Sequence, residues 1–232
     1  RKFSAGVEFR SAPTILDDKL WVFDYTRSTV YALSEQSGDI LFTNTAKQVQ
    51  NEGGLRSGLV FFKSALDKNL VLFAGGAADG KMLCVNATTG ILNGVPYKSD
   101  STLPVKNTPL LLDNILVFID PQGKINGMQA NGSRVFVINH DPENSMAAIA
   151  SDGQKLYSIS EGGYVTCWKN IRETAYPEEV WKTKYNIGSS PSFVAANENY
   201  AMAIVEGNRV VGLNPKNGKT VWEAPYLTSK PY

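Results

Sequence analysis

The segment VVGLNPKNGKTVW, residues 210–222, is one of several copies of a single pattern, and that repetition constrains the fold more than anything else in the chain. A small residue is followed six positions later by glycine and four positions after that by an aromatic: Gly212, Gly218 and Trp222. The same steps lead from Ala32 to Gly38 and Phe42. From Cys84 they lead to Gly90, and then to Gly94, where the aromatic is missing. A copy with a turn one residue shorter runs from Gly127 through Gly132 to Phe136. A fifth opens on Cys167 and closes on Trp181, with NIRETAYPEE inserted in place of the tight turn.

Each residue type in the pattern has a physical task. The small residue lets its strand approach its neighbours closely. The polar residue two positions on (Ser34, Asn86, Asn214) bonds the turn backbone. The glycine supplies a positive φ without steric cost. The aromatic is expected to bury its ring against the adjoining unit, Trp222 included. The flanking segments repeat as well. An apolar strand precedes each copy (DDKLWVF, DKNLVLF, LDNILVF, GQKLYSI, NENYAMAI), and another short strand precedes that one. The third residues of those first strands, Pro13, Leu59, Pro109, Ala147 and Pro191, set a period of about 40–50 residues. Four short strands per period, Gly, Pro and Asn/Asp turns between them, and no credible helix predict an all-β chain. A lone four-stranded unit cannot bury both of its faces, so the units stack as the blades of a β-propeller.

The expected organisation is a single propeller domain over 1–232, with antiparallel four-stranded blades at about 10–46, 57–97, 107–140, 145–186 and 189–226. Residues 1–9 read as the last strand of a preceding blade and 229–232 as the start of a following one. Five full blades would then be an excerpt of a six- to eight-bladed ring.

Composition bounds the function. With 23 basic and 22 acidic residues, the chain has no field to attract nucleic acid, and no apolar run reaches membrane-spanning length. His140 is its only histidine and sits in a polar connection, where a solvated role is expected. No Cys-x-x-Cys, phosphate-binding loop or Gly-x-Ser-x-Gly occurs. Cys84 and Cys167 both hold the small-residue position, in blades two apart, and so read as buried thiols and not as a disulfide. Read from these residues, the chain has no catalytic, cofactor-binding or metal-ligating set.

Small–x–Asp/Asn–x–x–x–Gly–x–x–x–Trp resembles the tryptophan-docking repeat of the pyrroloquinoline-quinone-like, quinoprotein alcohol dehydrogenase-like propellers. GLNPKNGKTVW is the better match and ALSEQSGDILF the next. The resemblance implies the propeller fold over nearly the whole chain. It implies several functions, since quinone-dependent alcohol dehydrogenases, bacterial outer-membrane assembly lipoproteins and lumenal sensor domains share the repeat. The dehydrogenases carry a vicinal cysteine pair and acidic and amide calcium ligands, which this sequence lacks. The expected function is therefore a non-catalytic recognition module, part of a larger assembly, with other proteins as partners. The alternative is a quinone-dependent oxidoreductase.

Three features single out surface positions. The insertion at 170–179 offers Arg172, Glu173, Tyr176 and Glu178 as a partner-contact loop. The first inter-blade connection, AKQVQNEGGLR, is longer than its equivalents and is a second contact candidate. Asn86 and Asn131 lie in N-glycosylation sequons, NAT and NGS. They favour a secretory, lumenal or extracytoplasmic location, although turn chemistry by itself accounts for both.

Overall fold

The structure is a computed structural model that describes residues 6–99, 103, 105, 107–139, 145–171, 176–186, 194–205 and 209–224. Among them are five four-stranded antiparallel sheets, each with its strands in chain order. The first comprises β1 (Thr14–Leu16), β2 (Lys19–Asp24), β3 (Thr29–Ser34) and β4 (Ile40–Thr45). After a short helix, α1 (Lys47–Asn51), the second comprises β5 (Leu55–Lys63), β6 (Val71–Ala77), β7 (Lys81–Asn86) and β8 (Tyr97–Lys98). The third is β9 (Leu110–Leu112), β10 (Ile115–Ile119), β11 (Ile125–Gln129) and β12 (Arg134–Ile138). The fourth is β13 (Met146–Ser151), β14 (Leu156–Ser160), β15 (Tyr164–Lys169) and β16 (Glu178–Lys184). The fifth is β17 (Val194–Ala196), β18 (Ala201–Val205), β19 (Arg209–Leu213) and β20 (Thr220–Ala224).

The chain is nearly helix-free, as expected, and α1 is a short element that the strand pattern does not mark. One turn is too short to show a 3.6-residue period. Buried Val49 anchors it, and Gly53 and Gly54, at φ of 83° and 75°, end it. Elsewhere the turns explain the strands. Asp17 and Asp18 both take positive φ (53° and 55°), the backbone of a tight hairpin between β1 and β2.

The repeated turn has one geometry. The side chain of Ser34 accepts from Ser37 N, that of Asn86 from Thr88 N and that of Asn214 from Lys216 N, at 3.1, 2.8 and 2.8 Å. In each copy the carbonyl of that residue takes the N–H of the glycine, Gly38, Gly90 or Gly218. These glycines stand at φ of 69°, 71° and 69°.

A feature absent from the spacing argument follows each turn. Ala32 pairs with Phe42 but Leu33 pairs with Ile40, leaving Leu41 as an extra residue. Val180 and Val221 are extra in the same way before Trp181 and Trp222. Each is a β-bulge, which re-aims the side chain beside it. The aromatic then folds over the small residue opposite. A Cβ on Gly212 would lie 2.2 Å from the Trp222 ring, and one on Gly127 would lie 2.2 Å from the Phe136 ring.

By contacts the chain falls into two compact units, 1–121 with 128–134, and 122–127 with 135–232. In the first, Trp21, Phe23, Phe61 and Phe73 form the aromatic centre of the core shared by the first two sheets, their rings 5.2–5.9 Å apart. A second core there joins Phe62, Leu72, Met82, Leu116 and Phe118. In the second unit the core gathers Tyr157, Ile159, Val165, Trp181, Val211 and Leu213.

Neighbouring blades are joined at the repeated turn. Gly218 lies on Trp181 so closely that a Cβ there would be 2.5 Å from the indole, whose N–H donates to Pro215 O at 3.0 Å. Gly90 meets the backbone of Ala46 in the same manner, at 2.9 Å. Where Gly94 replaces the aromatic, main chain docks on main chain: Val95 N donates to Asn131 O, and any Cβ on Gly94 or Gly132 would overlap the facing carbonyl.

The expected burial of Trp222 is corrected. Its ring is only half-buried and rests edge-on to Tyr200, whereas Trp181 is 8% exposed. Trp181→Ala is therefore expected to cost about 3–5 kcal/mol, the loss typical of a buried large aromatic, and Trp222→Ala markedly less. Denaturant melts of the two variants check the ranking, and equal costs would contradict it.

Candidate functional site

In a four-stranded meander, the first–second and third–fourth connections emerge at one end of the sheet. The second–third connection and the link to the next sheet emerge at the other. The candidate surfaces divide between these ends.

At the first end of the fourth sheet, the insertion leaves β15 after Lys169 and re-enters at Glu178. Glu178 is tied at its base. It takes hydrogen bonds from Lys169 (3.0 Å) and Asn170 (3.0 Å), and these hold its carboxyl below the ordinary value, Lys169 contributing most. Asn170 has a positive φ of 59°, and Ile171 is buried, so the loop's first turn is pinned. Tyr176 stands 82% exposed. Arg172 and Glu173 lie outside the described residues, as does His140. The buried Ile171 was legible only as an apolar residue in a polar run, and the spacing gave it no role.

At the same end of the second unit lies a polar cleft of about 520 Å³, lined by Asp152, Lys155, Glu198, Asn199 and Lys216 among others. Its best-held groups are spent on the fold. Asp152 accepts from the N–H groups of Gln154 and Lys155 and from the Tyr157 hydroxyl, and Lys155 Nζ donates to Pro215 O.

The opposite end of the first two sheets holds a cleft of about 410 Å³ against the first inter-blade connection. Arg10 donates twice to Glu8, at 2.8 and 3.0 Å, and its guanidinium lies 5.5 Å from the centre of the Tyr25 ring. The Tyr25 hydroxyl donates to Ser57 O at 3.0 Å, and burial raises its pKa. Gln50, on α1, donates to Arg27 O at 2.8 Å, and Arg27 pairs with the buried carboxylate of Asp24 at 3.0 Å. Gly53, Gly54, Leu55 and Arg56 complete the lining. The sequence marked this connection by its length alone. Glu8 and Arg10, from a distant part of the chain, carried no signal.

The two sequon asparagines occupy the repeated turn. Asn86 Oδ1 accepts from Thr88 N and Thr89 N, and exposed Asn131 accepts from Ser133 N at 3.0 Å. Among the described residues no three His, Cys, Asp or Glu side chains gather as a metal site, and no helix is long and apolar enough to cross a membrane.

These sheets and turns have the fold of the β-propeller repeat proteins, with four-stranded antiparallel blades. Two solved propellers resemble the chain throughout. BamB from Moraxella catarrhalis is 18% identical over 96% of this chain and 62% of its own, with a TM-score of 0.60. Sqt1 from Saccharomyces cerevisiae is 14% identical over 94% of this chain and 60% of its own, with a TM-score of 0.69. The chain thus spans about three fifths of the length of each. No family model and no curated protein matches the sequence.

Both cysteines are free and buried. Burial pushes the Cys84 thiol up to about 12 and the Cys167 thiol up to about 11, so neither supplies thiolate near neutral pH. Native protein at about pH 8 is expected to resist iodoacetamide at both positions, and both should react fully in concentrated guanidinium. Mass spectrometry of the alkylated protein checks this.

Proposed function

We propose that the chain is a single propeller domain that recognises other proteins without catalysis, as part of a larger assembly, and that the insertion of the fourth blade is a contact element. The observation that carries this reading is Tyr176. Tyr176 is a large, 82% exposed aromatic in an insertion whose described flanks are held, Ile171 by burial and Glu178 by bonds from Lys169 and Asn170. Aromatic side chains on rigid supports are the usual anchors of protein interfaces, because little freedom is lost when they bind. Arg172 and Glu173, beside it in sequence, would supply a charged rim. Glu178 would act as the brace. The near-zero net charge argues for local shape and polar contacts over long-range steering. A stable complex on this surface would bury about 1,200–2,000 Å² in total.

The test is a photo-crosslinker. Benzoylphenylalanine in place of Tyr176 is expected to give discrete protein adducts in native extract, with none from the same group placed at Asn199, in the polar cleft. Absence of adducts at 176 would remove the loop from the reading. Dye-linked alcohol oxidation on adding pyrroloquinoline quinone and calcium would overturn the non-catalytic reading itself.

A further inference from the structure

We propose that the cleft between the first two blades is a second recognition point, which receives the carboxylate of an acidic side chain on a protein partner, with Arg56 as the group that binds it. The inference rests on the recognition reading above and adds the chemistry of one contact. Arg56 lies on β5 between Leu55 and Ser57, both buried, so its Cα is fixed while its side chain is exposed. Among the described residues its guanidinium has no hydrogen bond or ion pair. Its charge reaches Glu8, whose carboxyl is held down first by Arg10 and then in part by Arg56.

The remaining groups explain why this cation stays available. One edge of Arg10 is used by Glu8 and its face by Tyr25. Arg27 is used by Asp24. Gln50 is turned to Arg27 O. Gly53 and Gly54, both at positive φ, also line the cleft and put no side chain into it. A Cβ on Gly54 would find its nearest neighbour, Ser28 Oγ, only at 4.0 Å.

A planar guanidinium whose N–H groups have no partner among the described residues matches a carboxylate or a phosphate through two parallel hydrogen bonds. Charge decides between them. Arg10 and Arg56 face the single carboxylate of Glu8, which leaves one positive charge over. A carboxylate monoanion neutralises it, whereas a phosphate near its dianionic form would overshoot and leave the cleft one charge negative.

The probe is hexaglutamate, titrated at low salt into isotope-labelled protein and followed by nuclear magnetic resonance. It is expected to shift the amides of Gly53 and Gly54 and the Nε resonance of Arg56. Hexaglutamine should shift none of these, and inorganic phosphate should bind more weakly than hexaglutamate. Arg56→Gln should weaken hexaglutamate at least fivefold. Arg56→Lys, which keeps the charge and loses the fork, should fall between, and the rest of the spectrum reports the fold of both variants. Exchanging Lys182 and Lys184 for glutamine on β16 should leave binding unchanged. Unaltered affinity in Arg56→Gln, no shift at Gly53 and Gly54, or tighter binding of phosphate would each overturn the assignment. None of these outcomes bears on crosslinking at Tyr176, so the two readings fail separately.

Discussion

The structure depends on a ring laid across a residue that has almost no side chain. Trp222 over Gly212 and Phe136 over Gly127 are separated by less than the space a methyl group needs, and Phe42 and Trp181 sit opposite Ala32 and Cys167 in the same register. Such closeness excludes larger residues at the small position. It also explains the bulge before the aromatic: Leu41, Val180 and Val221 are displaced from the ladder so that the next side chain can turn inward. A blade is apolar on both faces, and each face needs a neighbour. Trp181 shows how the need is met, since one ring covers its own strand, packs under Gly218 of the next blade and donates to Pro215.

This accounts for what the sequence makes legible. Fixed steps from small residue to glycine to aromatic are fixed because each step is a distance in the turn. The blade pattern and the all-β class can therefore be read without coordinates. What cannot be read arises from contacts between segments with no shared spacing. Gly94 looks like a lost hallmark, yet it is where two main chains meet, through Val95 and Asn131. The half-exposure of Trp222 depends on what lies beside it and not on its own strand. The helix α1 is a single turn held by one buried valine.

The candidate surfaces show the same division. The insertion at 170–179 is conspicuous because it interrupts a repeat, and Tyr176 is the exposed aromatic it promises. Glu178 closes the loop's base on Lys169 and Asn170. The cleft of Arg56 is nearly invisible in the sequence. It unites Glu8 and Arg10, Tyr25 from a turn of the first blade, and a glycine pair after the helix, three stretches related only by folding.

Polar side chains on a propeller's turns serve either the turn or the solvent side, and hydrogen-bond accounting separates the two. Asp152 sits in the larger of the two clefts described, yet its oxygens are engaged by two backbone amides and a tyrosine hydroxyl. A partner competing for it would have to break the bonds that shape the hairpin. Arg56 lies in the smaller cleft and, among the described residues, its guanidinium has no hydrogen bond or ion pair within the fold. Cleft size therefore ranks these surfaces in the wrong order, and unspent hydrogen-bonding capacity on a fixed backbone ranks them by what they can bind.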